Sequence, residues 1–182
     1  GSGARCLLVN RSSGTLVSAS GSWQFAAAPG TFGTGYDIDL ELVWEVVGMA
    51  CHDALQQAKI DPSTVAAIAV SAMRFSTVVL TADGDGLLAV DNRDARAAGE
   101  YFDITEKMGQ QLLQETGSWP LPLHASARLL WLRNQQPEKF ARAHTVFGMG
   151  EWLTWRLSGV RAIDATLASA TGLFHLTEKN WC

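Results

Sequence analysis

Long hydrophobic runs, metal-type spacings and an excess of positive charge are all missing from this sequence. No apolar stretch reaches the ~20 residues of a bilayer-spanning helix, which argues against insertion in a membrane. Fourteen basic residues stand against 18 acidic ones, a net charge of −4, so the balance does not suit wrapping DNA or RNA. Cysteine is scarce. Cys6, Cys51 and Cys182 are odd in number and lack zinc-type spacing, and with no secretory leader in view they point to a reducing, cytoplasmic setting. His52, His124, His144 and His175 share no ligand spacing, so no metal site is expected. A Walker loop, a nucleophile elbow and a dinucleotide fingerprint are absent too. What is present is 47% apolar and 18% charged residues, the composition of a globular chain able to bury an ordinary core.

Short apolar runs at 5–10 and 15–20, separated by "RSSG", predict an antiparallel hairpin, with a third strand in "GSWQFA". The Gly- and Pro-rich segment 29–38 predicts an irregular loop ending at Asp39, a helix cap. Val43, Val47, Cys51, Ala54 and Ala58 then recur at helical spacing as far as "KIDP". The nearly continuous apolar run 65–73 predicts a strand covered on both faces, as central strands are in layered α/β proteins. A strand, a Gly-Asp turn and another strand follow over 76–88. Helices are expected at 95–115, closed by Gly117, then from a Ser126 cap to just before Pro137, which itself stands at a first-turn position of "PEKFARA", and finally up to Gly159, with a short strand at 144–149. The class is α/β.

Arg74 stands directly after the apolar run 65–73. The carboxyl ends of central strands open into the ligand crevice of α/β sheets, so Arg74 is either a ligand contact or an arginine reaching solvent. Asp91, Arg93, Asp94 and Arg96 lie between a strand and a helix. Asp91 or Asp94 would cap that helix, or the group would pair its charges to fix a loop around a polyol. Trp119, Trp131, Trp152, Trp155 and Trp181 suggest a sugar-stacking platform, but Trp131 and Trp155 fall within apolar helical patterns and are expected in the core. His124 is the histidine whose loop would border a cleft, and Asp164 precedes a small-residue run as a helix cap. The head "GSGAR" reads either as an added leader or as a phosphate-cradling loop.

In order along the chain, "YDIDLELVWEVV", "IAVSAMRFSTVVLTADGDGLL", "DNRDARAA", "SARLLWLRNQQPEKF", "GEWLTWRLSG" and "DATLASATGLF" resemble the N-terminal domain of the FGGY carbohydrate kinases, a family that includes xylulokinase, glycerol kinase and autoinducer-2 kinase. The resemblance implies a ribonuclease H-like, actin-like ATPase domain, a mixed sheet flanked by helices, with residues 1–182 as its sugar-binding N-terminal part. It implies that the C-terminal nucleotide-binding domain, and the aspartate base that deprotonates the attacking hydroxyl, lie beyond Cys182. No catalytic residue is therefore expected here, and the segment alone should be inactive. The implied reaction is ATP-dependent phosphorylation of a sugar or polyol hydroxyl, with Mg²⁺ carried by the nucleotide. A non-catalytic binding domain that keeps the actin-like fold is the alternative.

By the same resemblance Arg74, Met73, Asp94 and His124 would contact the sugar, while Ser2, Gly3 and Arg5 would form the tail of the phosphate-facing turn. "SAMR" is most similar to the "SMR" stretch of autoinducer-2 kinases. Phe75 replaces the glutamate of glycerol kinases, which argues against glycerol. Asn92 stands where an aromatic residue often precedes the "DxR" motif, and His124 occupies a position often aromatic in xylulokinases. The expected partner is a small sugar or polyol, with a homodimer left open.

Overall fold

The computed structural model describes residues 2–182; Gly1, the head of the "GSGAR" segment, lies outside them. The chain divides into two compact units, one containing the N-terminal segment to Ala26 and Ile38–Ala69, the other Ala27–Asp37 and Val70–Cys182.

In the first unit, β1 (Gly3–Val9) and β2 (Leu16–Ser22) pair antiparallel from Gly3 against Ser22 to Val9 against Leu16. Asn10 makes the turn, its Oδ1 accepting from the amides of Ser12 and Ser13 at 2.9 and 3.0 Å, as short polar side chains do in turns. Helix α1 (Leu40–Ala58) begins as expected at Asp39, whose carboxylate accepts from the amides of Glu41 and Leu42. Val43, Val46, Ala50 and Ala54 form its buried stripe, at the 3–4 residue spacing of a helix laid on a sheet. Contact with the hairpin is close, because a Cβ on Gly21 would meet a Val46 methyl at 2.7 Å. Cys51 behaves as a small hydrophobe: burial, then a hydrogen bond with Cys6, pushes its thiol up to about 11.

The apolar run 65–73 does not form the expected covered strand. It carries no strand pairing, and Ile68 is 68% exposed. A continuous apolar run becomes a central strand only where neighbours cover both faces. Among the described residues no strand pairs with it, and the chain passes from one unit to the other within it.

The second unit is built on a five-stranded sheet in the order β3 (Ala26–Ala27), β4 (Tyr36–Asp37), β6 (Gly86–Val90), β5 (Thr77–Leu80), β7 (Thr145–Phe147). β6 pairs antiparallel with β4 and β5, and β5 antiparallel with β7. Every residue of β5 is buried, and Val79, Leu87, Leu88, Val90 and Leu132 form the core against which Leu129, Trp131 and Phe140 pack. Around the sheet lie α2 (Ala98–Thr116), closed by Gly117 at φ 71°, α3 (Ala125–Gln135), α4 (Pro137–Ala141) and α5 (Met149–Ser158), closed by Gly159 at φ 73°. The short α6 (Ala165–Ser169) starts at Asp164, which accepts from the amides of Thr166 and Leu167 as expected. A last hairpin joins β8 (Phe174–His175) to β9 (Asn180–Trp181).

Two caps differ from expectation. The N-cap of α3 is His124, without a side-chain bond, and Ser126 falls inside the helix. The N-cap of α2 is Ala97, because Asp91 and Asp94 use their carboxylates on the loop before the helix. Of the tryptophans, Trp152 is fully buried, Trp131 and Trp155 are half-buried, and Trp119 and Trp181 are exposed.

Candidate functional site

A cavity of about 970 Å³ opens within the second unit, on the segment that leads into β5. Met73, Arg74, Glu151, Arg161, Asp164 and Leu173 are among its lining residues, an apolar surface with a few charged groups, as small-molecule sites usually are. Arg74 is exposed and Met73 half-buried.

The turn that presents them is fixed from three sides. Phe75 adopts the left-handed conformation at φ 60°, which costs an L-residue about 1–2 kcal/mol and persists only where the surroundings over-determine it. Its ring stacks on the imidazole of His124, centroids 5.9 Å apart, and the Arg74 guanidinium lies 5.7 Å from the same ring. Ser76 Oγ donates to the Met73 carbonyl at 3.1 Å and accepts from the Met149 amide at 2.8 Å, tying the turn to the start of α5.

The guanidinium of Arg128 supplies the third hold. It is fully buried, donating through Nη1 to the Phe75 carbonyl and to Thr77 Oγ1 at 3.1 Å. Through Nη2 it donates to the carbonyls of Asp91 and Asp94, at 2.6 and 3.0 Å. Burial lowers its pKa to about 10, so it stays charged at neutral pH.

Asp94 does not line the cavity. Its buried carboxylate accepts from the Tyr36 amide at 2.7 Å and from Arg96 Nε at 2.8 Å, and Arg96 reaches on to Asp37 at 2.6 Å. Asp91 likewise accepts from the amides of Arg93 and Asp94. Of the two roles open from sequence, this group shapes the loop and does not cap the helix. His124 also lies behind the lining, at 2% exposure, between Leu123 and Ala125, which do line it. Burial, and then the nearby Arg128 charge, lowers its pKa to about 4, so the imidazole is neutral. Of the four residues expected at the sugar, Met73 and Arg74 thus meet the cavity directly, while Asp94 and His124 stand behind it.

Ser2, Gly3 and Arg5 lie in the first unit. Gly3 is the first residue of β1 rather than part of a loop, and a Cβ there would meet the Gly21 carbonyl oxygen at 2.6 Å. The Ser2 carbonyl accepts from the Trp23 amide, and Arg5 is exposed. Gly3 and Arg5 thus belong to the ladder of β1, with Ser2 directly ahead of it. Among the described residues no group of three His, Cys, Asp or Glu side chains could hold a metal, and no helix is long and apolar enough to cross a membrane.

Arg128 and Glu151 escaped the sequence reading. Arg128 sits on the α3 face that carries Ala125 and Leu132, and a charge on an apolar stripe must find partners there. That was the available signal. Glu151 lies in the first turn of α5 at 5% exposure, its Oε1 without a hydrogen-bond partner.

Residues 1–182 match the family model for the N-terminal domain of the FGGY family of carbohydrate kinases. The chain is 35% identical over 162 residues to an autoinducer-2 kinase of Salmonella choleraesuis (strain SC-B67), a match covering 87% of this chain and 30% of the relative. It is 31% identical over 181 residues to an autoinducer-2 kinase of Escherichia coli (strain ATCC 8739), covering 97% of this chain and 34% of the relative. The whole chain superposes on 36% of a gluconate kinase and 36% of a ligand-bound xylulose kinase, both from Lactobacillus acidophilus, with TM-scores of 0.87 and 0.88 at 27% and 26% identity. The chain therefore spans about a third of the length of the proteins it matches. With the profile match running from the first residue to the last and the architecture shared with solved sugar kinases of the actin-like fold, the chain belongs to the FGGY family of carbohydrate kinases.

Proposed function

We propose that this chain is the sugar-binding part of an ATP-dependent carbohydrate kinase, and that its cavity holds a linear, polyhydroxylated substrate against Arg74 and Met73. The observation that carries this reading is the exposed guanidinium of Arg74 at a cavity lined mainly by apolar groups, on a turn braced by Ser76, His124 and Arg128. Such a cation donates charge-assisted hydrogen bonds to hydroxyl or carbonyl oxygens and orients them, and positioning is most of what a phosphoryl-transfer enzyme does. Phe75 has its ring against His124 and offers no acceptor, which disfavours glycerol. A longer sugar suits both the cavity and the names of the relatives, which are kinases of autoinducer-2, xylulose and gluconate.

ATP would supply the transferred γ-phosphoryl group. Ser2, Gly3 and Arg5 would give it an edge contact, and among the described residues no group of three His, Cys, Asp or Glu side chains could hold Mg²⁺. The nucleotide site and the aspartate base are assigned to the further length of a full-size family member. The free thiols of Cys6, Cys51 and Cys182 support a cytoplasmic setting.

The test is a coupled assay of ADP release by the full-length protein with a panel of pentuloses, pentitols, aldonates and other linear sugars. Stimulation by at least one five- or six-carbon compound, and little by glycerol, is expected. No stimulation by any would refute the proposal.

A further inference from the structure

From the four hydrogen bonds of its buried fork, we propose that Arg128 is the positioning residue of the site: it locks the turn 73–76 and the loop 91–94 into one body, and thereby sets where Arg74 meets the substrate. The kinetic part of this inference rests on the carbohydrate-kinase reading; the structural part does not.

The sheet explains why one side chain can do this. Thr77, the first residue of β5, is paired with Val90, the last of β6, so the turn before β5 and the loop after β6 emerge at the same end of one hairpin. Arg128 projects from α3 into that end. Nη1 holds the turn through the Phe75 carbonyl and Thr77 Oγ1, and Nη2 holds the loop through the carbonyls of Asp91 and Asp94. Burying a guanidinium is costly unless its donors are satisfied, and here three backbone carbonyls and a hydroxyl accept from Nη1 and Nη2, while Nε is buried without a partner. The carboxylates of Asp91 and Asp94 bond within their own loop and with Tyr36, so the grip falls on the main chain itself.

The main chain at Phe75 is where the grip has most effect. A left-handed non-glycine residue relaxes readily if its carbonyl is released, and relaxation there would swing Arg74, the next residue back. Lysine at 128 would keep the charge but carries a single ammonium on a flexible stem and cannot reproduce a planar two-armed hold.

Arg128→Lys and Arg74→Ala, singly and together, test this in the full-length protein. In Arg128→Lys, hydrogen exchange of peptides covering 73–77 and 91–96 should accelerate together, while peptides of α1 keep the wild-type rate. With a sugar that the wild type phosphorylates, Arg128→Lys should raise KM about tenfold with kcat changed by about threefold or less. Arg74→Ala should then cost less in the lysine background than alone, because Arg74 is already misplaced. Unchanged exchange at either segment, unchanged KM, or fully additive losses would overturn the inference. If the wild type phosphorylates nothing, the kinase reading fails and the exchange measurement alone decides the role of Arg128. If Arg128→Lys does not fold, Thr77→Val removes one acceptor and should loosen both segments to a smaller degree. A response confined to the β5 side would overturn the proposal.

Discussion

His124 makes the structure sensitive to acid in a calculable way. Its imidazole is buried against Phe75 beside Arg128, and burial, then that charge, lowers its pKa from 6.5 to about 4. Between these values the unfolded chain binds a proton that the folded chain does not, so stability rises with pH there and is lost as pH falls from 6.5 toward 4. The separation corresponds to about 3 kcal/mol, present in full above pH 6.5 and gone below about pH 4. Other groups titrate in the same window, so the informative quantity is a difference between two proteins. His124→Asn removes the titrating ring and leaves a residue suited to the N-cap of α3. Urea unfolding of both proteins from pH 7 to pH 4 should show the variant destabilised at pH 7 by loss of the ring stack, with the gap narrowing by about 2–3 kcal/mol toward pH 4. Parallel pH profiles would refute the assignment of a neutral, buried imidazole.

Two further substitutions test the packing on which the site depends. Arg96→Ala should destabilise the protein by about 3–5 kcal/mol in urea unfolding, because it strands the buried Asp94 carboxylate and also removes the cation 5.0 Å from the Trp131 ring. Gly3→Ala should cost about 1–3 kcal/mol by the same measure, since its Cβ would meet backbone, the Gly21 carbonyl oxygen, rather than a side chain able to move aside.

Much of the fold was legible because its signals are local. Asp39 and Asp164 before helical patterns, Gly117 and Gly159 after them, and Pro137 at the head of a helix act through the nearest turn of backbone. What was misread depended on partners distant in sequence. The run 65–73 has the composition of a central strand, but whether it becomes one depends on what lies beside it. Asp91 and Asp94 have the chemistry of caps, yet Arg96 and the Tyr36 amide, 58 residues away from Asp94, recruit that chemistry for the loop. At the cavity, Arg74 was singled out for following the run 65–73, a strand that does not form, and Met73 through the family resemblance; both line the cavity. His124 was found too, but as a residue behind the cavity wall. Arg128 was overlooked because the residue pattern of α3 marks its buried face, Ala125, Ala127, Arg128 and Leu132, only weakly.

The central claim is that the cavity beside Arg74 takes the sugar, and the kinetics of Arg74→Ala in the full-length protein test it most directly. Loss of a charge-assisted hydrogen bond should cost about 1.5–3 kcal/mol, a fall in kcat/KM of about 10- to 150-fold, at unchanged thermal stability, since the side chain is exposed. A variant with wild-type kcat/KM would contradict the account and return Arg74 to the solvent-facing surface.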